Sequence, residues 1–103
     1  MESLKYIENT DSEVIYITQK EDTLKSLSVK FKTTINLIIA NNNLKEPIIE
    51  GQCLYIKKYN EIYTVKITDT LDEISKKCNI SIDELKSLNK IDYIYPGQNL
   101  VIR

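Results

Sequence analysis

The chain has 103 residues, of which 42% are apolar and 28% are charged, so it has room for one ordinary globular domain or two very small ones. Its formal net charge of -1 provides no basic surface for nucleic acid, and no apolar run is long enough to span a membrane. It has no histidine and only two cysteines, so it lacks the commonest general base, the commonest zinc ligand and a disulfide framework. We therefore expect no cofactor and no metal, and we predict that the protein is not an enzyme.

The N-terminal segment, MESLKYIENTDSE, is polar and rich in acidic residues. It lacks the basic n-region and the apolar h-region of a secretory signal, which predicts synthesis as a cytoplasmic protein. Leu4 and Tyr6 occupy alternate positions, so residues 1–13 are predicted to form either an N-terminal tail or an extra strand.

The remainder of the chain is a tandem repeat. A shift of 47 positions, and of 46 after a one-residue deletion near Glu46, aligns its two halves from end to end. The matches are ordered and cover the whole unit, which indicates a duplication. The aligned identical pairs include Ile15 with Ile62, Tyr16 with Tyr63, Asp22 with Asp69, Thr23 with Thr70, Asn42 with Asn89, Gly51 with Gly97 and Gln52 with Gln98.

The first copy, residues 14–58, is predicted to run strand, helix, helix, strand. Thr23 is expected to cap the first helix without an acidic residue three positions later, because Ser26 stands there. Thr34 is expected to cap the second helix, and a turn containing Gly51 leads to the closing strand. The residues of the second helix that are predicted to face inward are Ile35, Ile38 and Ile39.

The second copy, residues 61–103, follows the same plan with clearer signals. The segment EIYTVKI alternates as a half-buried strand does. Thr70 with Glu73, and Ser81 with Glu84, form capping-box patterns at the starts of two helices. The residues predicted to face inward are Leu71, Ile74 and Cys78 in the first helix, Ile82, Leu85 and Leu88 in the second, and Leu100 and Ile102 in the closing strand.

These elements define the expected architecture. An isolated two-stranded hairpin is marginal in water, so the helices of each copy must cover its sheet. We therefore predict an α+β fold of two tandem βααβ modules, each with a two-stranded antiparallel sheet and two helices on one face.

The second copy carries the motifs Tyr63-x-Val65, Asp69-Thr70-Leu71-x-x-Ile74-Ser75, Ile82-x-x-Leu85-x-x-x-Asn89 and Ile94-x-Pro96-Gly97-Gln98-x-Leu100-x-Ile102. Together they resemble the lysin motif (LysM) domain, and residues 14–58 match the same pattern more loosely. The resemblance implies two LysM modules that bind glycans containing N-acetylglucosamine, such as peptidoglycan or chitin, without hydrolysing them. The implied partner is such a polysaccharide, with no nucleic acid and no membrane insertion, and the implied location is a cell wall, spore or phage particle.

In LysM domains the sugar lies in a shallow groove between the loop after the first strand and the loop before the last strand. Backbone groups of the two loops would pair with the acetamido group, while an apolar side chain contacts its methyl. In the second copy the implied contacts are Thr68, Asp69, Thr70, Leu71, Lys90, Ile91, Asp92, Tyr93 and Ile94. In the first copy they are Glu21, Asp22, Thr23, Leu24, Asn43, Leu44, Lys45 and Ile48.

The sequence departs from the family pattern immediately before each Asp-Thr pair. The family usually has glycine there, whereas this chain has Glu21 and Thr68. Glycine permits positive φ and close backbone approach, so its replacement predicts a reshaped groove. The effect is expected to be larger in the first copy, where Glu21 also adds a charge.

Several candidate residues have structural alternatives. A carboxylate such as Asp22 or Asp69 beside a helix N-terminus is favoured by the helix dipole, by roughly 0.3–1 kcal/mol, whether or not it binds a ligand. Tyr93 and Tyr95 could stack on a sugar, or one of them could cover the edge of the core. For the whole chain, the alternative to glycan binding is an adaptor or structural protein that makes protein–protein contacts in a spore-coat or phage-tail-like assembly.

Overall fold

A computed structural model describes residues 4–103 of the chain. This part divides into two compact units, with the boundary between Tyr59 and Asn60. Each unit contains two short helices and a small antiparallel sheet, which confirms the predicted α+β class. None of the helices between residues 4 and 103 combines the length and the apolar character needed to span a lipid bilayer.

The first unit has a larger sheet than predicted. Its elements are β1 (Tyr6–Asn9), β2 (Glu13–Ile17), α1 (Leu24–Lys30), α2 (Ile35–Asn42) and β3 (Cys53–Lys57). The strands form an antiparallel sheet in the order β1-β2-β3, in which β1 adds a third strand to the predicted pair; an extra strand is one of the two alternatives predicted for residues 1–13. The core is formed by Val14, Tyr16, Leu27, Phe31, Ile38, Leu54 and Ile56.

Aromatic packing explains why residues 6–9 form a third strand. Tyr6 lies opposite Tyr16 in the β1–β2 register, and their ring centroids are 5.5 Å apart. The ring of Phe31, which ends α1, meets Tyr6 edge-on at 6.3 Å and Tyr16 at 5.3 Å. Such tilted and edge-on contacts contribute about 0.5–1.5 kcal/mol beyond the buried area. Alternation in the sequence does not reveal this cluster.

The second unit has the two-stranded sheet that the sequence predicts. Its elements are β4 (Ile62–Thr64), α3 (Leu71–Cys78), α4 (Ile82–Asn89) and β5 (Asn99–Val101). Strands β4 and β5 pair antiparallel, with Tyr63 opposite Leu100. The core is formed by Val65, Ile74, Leu85, Leu100 and Ile102.

All four helices begin after a serine or threonine whose side chain accepts from the backbone N–H three residues later, as predicted. The complete capping box, however, is in the first unit, where the Thr23 N–H donates to Ser26 Oγ at 3.0 Å. At Thr70 the Glu73 carboxylate accepts instead from the threonine hydroxyl, at 3.1 Å. The sequence predicts the capping box for Thr70 in the second copy, but the complete box is at Thr23 in the first. The short Ser26 side chain also reaches the N–H of the cap residue.

Helix α2 begins with a different buried face from the one predicted. Leu37 and Ile38 are buried, whereas Ile35 is 39% exposed. Apolar residues fill nearly all of positions 35–39, so the helical period does not single out one face. The prediction is confirmed for Ile38 and wrong for Ile35.

One asparagine in each unit fixes the second helix to the last strand. Asn89 is 2% exposed; its amide donates to Val101 O at 2.8 Å and accepts from the Val101 N–H at 2.7 Å. Asn42 makes the same two bonds to Tyr55, both at 2.8 Å. In each unit the amide also donates to the carbonyl four residues earlier, at 2.9 Å. The side chain thus bonds the edge of the last strand that faces away from that strand's partner in the sheet. We refer to this contact as the asparagine clamp.

The two helices of each unit are followed by residues with left-handed backbone. The φ angles are +53° at Lys32, +51° at Asn43, +54° at Asn79 and +55° at Lys90. In the repeat, position 32 is equivalent to 79, and position 43 to 90. Each equivalent pair therefore has asparagine in one copy and lysine in the other, at a position that favours glycine or asparagine.

Candidate functional site

The loop after the first strand of each repeat is a tight turn closed by an aspartate. In the second unit the Asp69 N–H donates to Lys66 O at 3.0 Å, and the Lys66 N–H donates to Asp69 Oδ2 at 2.8 Å. Asp22 and Gln19 make the same pair of bonds in the first unit, at 3.1 and 2.7 Å. Each carboxylate thus accepts from the backbone N–H three residues earlier and sets the shape of the loop.

A tyrosine from the preceding strand also bonds each of these carboxylates. Tyr63 Oη donates to Asp69 Oδ2 at 2.5 Å, and Tyr16 Oη donates to Asp22 Oδ2 at 2.6 Å. The bond from Tyr63, together with the backbone bond, holds the pKa of Asp69 below its ordinary value. Lys77 Nζ lies 3.2 Å from Tyr63 Oη and 3.8 Å from Asp69 Oδ1. Burial, followed by the bond to Asp22, raises the pKa of Tyr16. Both aspartate side chains therefore have a structural role in the loop.

The second candidate loop lies between α4 and β5 and begins at Lys90. The Ile91 N–H donates to a carbonyl in the last turn of α4, at 3.0 Å, which closes the helix end. Ile91 and Ile94 are half-buried against the core of the unit. Asp92 is exposed, and Tyr93 is 74% exposed. The loop thus alternates between residues that anchor it on the core and residues that face solvent.

Backbone hydrogen bonds join the two candidate loops of the second unit at their base. The Val65 N–H donates to Gln98 O and the Gly97 N–H donates to Val65 O, both at 2.8 Å. The Gln98 side chain closes the turn before β5 by accepting from the Tyr95 N–H at 3.0 Å. Gly97 has a φ of +86°, a conformation that favours glycine. The Pro-Gly-Gln motif therefore builds the turn that carries the second loop back to the first.

The first unit has the same base with additional side-chain bonds. The Gly51 N–H donates to Thr18 O at 2.8 Å, and the Thr18 N–H donates to Gln52 O at 2.9 Å. The buried Thr18 hydroxyl also donates to Ile49 O at 2.5 Å and accepts from the Gln52 N–H at 2.8 Å. Val65 takes the place of Thr18 in the second unit and cannot make these bonds. The turn is therefore held by more contacts in the first unit.

The predicted site residues fall into three groups in the structure. The apolar ones are half-buried and pack on the core of their own unit: Leu24, Leu44 and Ile48 in the first, and Leu71, Ile91 and Ile94 in the second. The aspartates and threonines hold the turns and cap the helices: Asp22, Thr23, Asp69 and Thr70. The remaining residues are exposed: Glu21, Asn43, Lys45, Thr68, Lys90, Asp92 and Tyr93.

Glu21 and Thr68 do not require glycine's conformational freedom. Neither is among the residues between 4 and 103 that have positive φ. The backbone accepts both residues without a left-handed conformation, so the departure from the family pattern lies in two exposed side chains. The residues in this part of the chain with positive φ are Lys32, Asn43, Gly51, Asn79, Lys90 and Gly97.

Ile67 is a candidate contact that the sequence analysis missed. It is 85% exposed and precedes Thr68 in the turn. Alternation placed it inside a strand, but β4 ends at Thr64 and the Asp69 turn follows. The aspartate three residues after Lys66 is the signal that predicts this turn. Tyr95 is also exposed, so neither tyrosine of the YIYPG segment covers the core.

Other chemistry is sparse in the part of the chain that the structure describes. Residues 4–103 contain no group of three or more cysteine, aspartate or glutamate side chains placed to hold a metal ion. Cys53 is exposed and Cys78 is half-buried, and both are free thiols. Burial raises the pKa of Cys78, which makes its thiol less reactive.

Both repeats match the model of the LysM domain family, over residues 16–57 and 63–103. The chain belongs to the LysM family. Membership supports binding to a glycan that contains N-acetylglucosamine, such as peptidoglycan. It also accounts for the two equivalent loop pairs, since each LysM copy contributes one.

Two curated bacterial relatives are a probable peptidoglycan endopeptidase and an autolysin. The chain is 39% identical over 100 residues to the "Probable peptidoglycan endopeptidase LytE" of Bacillus subtilis, a match that covers 82% of this chain and 30% of the relative. It is 28% identical over 109 residues to the "Autolysin" of Enterococcus faecalis, covering 85% of this chain and 15% of the relative. The chain therefore spans less than a third of either relative's length.

A solved structure, that of the spore cortex-lytic enzyme SleL of Bacillus cereus, is 26% identical to this chain. That match covers 89% of this chain and 23% of the other, with a TM-score of 0.43.

Proposed function

We propose that the chain binds the glycan strands of peptidoglycan through the loop grooves of two LysM modules, residues 14–58 and 61–103, and does not cleave them. The observation that carries this proposal is the match of both repeats to the LysM family. The similarity to a probable peptidoglycan endopeptidase points to the same polymer.

The groove of the second module runs between residues 68–71 and 90–94. Half-buried Leu71 and Ile91 offer apolar surface to the acetamido methyl, while backbone groups of both loops pair with its amide. Tyr93 is exposed, and in this proposal its ring stacks on a sugar ring. In the first module the corresponding segments are 21–24 and 43–48, where Leu24 and Leu44 provide the apolar surface.

Titration with N-acetylglucosamine oligomers of increasing length tests this assignment, with backbone amide shifts as the readout. We expect shifts confined to the four loop segments, with affinity that grows with oligomer length. Tyr93→Ala should weaken binding to the second module more than its matched control, Tyr95→Ala. No shifts at millimolar sugar would overturn the proposal and would favour a protein partner instead.

The non-catalytic part of the proposal rests on the carboxylates near the groove. Glycoside hydrolysis generally uses two opposed carboxyl groups, one of them a proton donor. Asp22 and Asp69 each accept hydrogen bonds from a tyrosine and from a backbone N–H and so hold the turns, and these bonds keep the pKa of Asp69 below its ordinary value. We therefore expect that purified peptidoglycan incubated with the chain releases no new reducing ends or free amino groups beyond those in a heat-denatured control. Release above that control would show that the chain is catalytic.

A further inference from the structure

The outer face of α4 borders an open depression of about 350 Å³. Lys86 and Ser87 each lie three or four residues from Asp83 and from Lys90, which directly follows the helix, so the four residues share one side of α4. The depression, which we refer to as the α4 depression, extends onto the following loop. Its lining residues are Asp83, Lys86, Ser87, Lys90, Ile91 and Asp92.

The α4 depression adjoins the candidate glycan groove. Lys90, Ile91 and Asp92 line the depression and also belong to the loop proposed to contact the sugar. A substituent on a sugar bound in the groove would therefore lie beside the depression. The volume lies in the range of small-ligand sites, which is roughly 300–1,000 Å³.

Both acidic and basic side chains line the depression, and three of them form none of the ion pairs in the described part of the chain. Between residues 4 and 103, the ion pairs join Lys76 to Asp72, Lys77 to Asp69 and Arg103 to Glu61. None of these pairs involves Asp83, Lys86 or Asp92. Two acidic and two basic side chains around one depression complement a ligand that itself carries both charges.

The first module lacks this charge pattern at the equivalent positions. Lys86 corresponds to Ile39, and the carboxylate of Asp83 is replaced by the amide of Asn36. Lys45, the one charged residue of the set, stands where the second module has Asp92. The charged depression therefore distinguishes the second module. The equivalent residues are Asn36, Ile39, Ala40, Asn43, Leu44 and Lys45.

We propose that the α4 depression binds a short peptide that carries carboxylates and an amino group and is attached to the sugar in the adjoining groove. The carboxylates would pair with Lys86 and Lys90, and the amino group with Asp83 or Asp92. This inference rests on the proposed glycan function and adds a second ligand class to it. The second module then prefers glycan that bears peptides, whereas the first module does not distinguish it from bare glycan.

The test compares a peptide-bearing disaccharide of peptidoglycan with the same disaccharide after its peptide has been removed. Amide shifts of the full chain report on each module separately. We expect the wild type to bind the peptide-bearing sugar about two- to five-fold more tightly at its second module, as exposed ion pairs allow. Lys86→Gln should abolish that advantage, and added salt should reduce it. Lys76→Gln, an exposed lysine on α3, is the matched control and should preserve the advantage.

The outcomes separate this inference from the proposed function. Equal or weaker binding of the peptide-bearing sugar, while bare sugar binds, would overturn the inference and leave the glycan function intact. If neither sugar binds, the free peptide is titrated alone at millimolar concentration. Shifts at residues 83–92 that Lys86→Gln removes would still support the depression as a peptide site, and their absence would overturn it.

Discussion

Replacing Asn89 with alanine removes the asparagine clamp of the second unit and leaves the N–H and C=O of Val101 without their side-chain partner. Val101 is fully buried, so water cannot take over these bonds. A buried polar group without a partner costs about 1–3 kcal/mol, so the two groups together predict a loss of roughly 2–6 kcal/mol in the free energy of unfolding. A loss of that size is large for a unit of this length.

Asn42→Ala is the matched variant in the first unit. The two strand bonds have the same geometry, but Asn42 and Tyr55 are only half-buried, so water can replace part of the lost contact. Each bond then contributes only its net value, about 0.5–1.5 kcal/mol, and the expected loss is roughly 1–3 kcal/mol. Removing the clamp should therefore lower the free energy of unfolding more in the second unit than in the first.

Urea titration followed by amide peaks from each unit measures both losses separately. Residue-specific probes are needed because the chain has no tryptophan and the two units can unfold in separate transitions. Losses below about 1 kcal/mol in both variants, or a larger loss for Asn42→Ala, would refute the reasoning from burial.

Asn89→Asp adds a test of hydrogen-bond polarity. The new carboxylate would face the Val101 carbonyl, whereas its protonated form can donate to that carbonyl. The native pKa of the new carboxyl should therefore rise above its unfolded value of about 3.9. The native state then binds the proton more tightly, so the destabilisation should be smallest at low pH and should grow as the pH rises through the unfolded pKa.

Four further variants test local features. Tyr63 holds the pKa of Asp69 below its ordinary 3.8. The stability that ionised Asp69 adds is therefore complete above that pH and is lost as the pH falls through the native pKa. Tyr63→Phe should make the acid unfolding of the second unit less steep, as followed by amide peak intensities. Gly97→Ala should lower the free energy of unfolding by about 1–2 kcal/mol through backbone strain alone, since no atom beyond the adjacent residues lies within 4 Å of the added methyl. An unchanged urea midpoint would contradict the left-handed φ. Lys32→Gly should stabilise the first unit by about 1 kcal/mol in the same assay, and Asn79→Gly should gain less in the second, because asparagine already tolerates this backbone.

The sequence predicts the features that depend on short-range chemistry. The N-caps at Thr23 and Thr70 follow from a hydroxyl residue placed before a helical pattern, and the structure confirms them. The buried positions of α3 and α4 follow from helical spacing, because polar residues occupy their other faces. Gly97 is predicted as a turn residue because the Pro-Gly pair leaves few alternatives.

The features that the sequence does not predict depend on contacts between distant segments. Ile35 and Leu37 are equally apolar, and only the packed tertiary structure decides which one is buried. The third strand depends on Tyr6 meeting Tyr16 and Phe31, which alternation alone cannot reveal. For the candidate site, the loops and their anchoring residues follow from the repeat, but the exposure of Ile67 depends on where the strand ends.

The asparagine clamp also bears on how such modules can be joined in series. Neighbouring repeats of similar sequence tend to exchange strands during folding, because a strand of one copy fits the sheet of the other. Asn42 and Asn89 each place an amide from the module's own second helix on the hydrogen-bonding groups that an incoming strand would need. One side chain per copy thus closes the outer edge of the last strand to misassembly each time the module is duplicated.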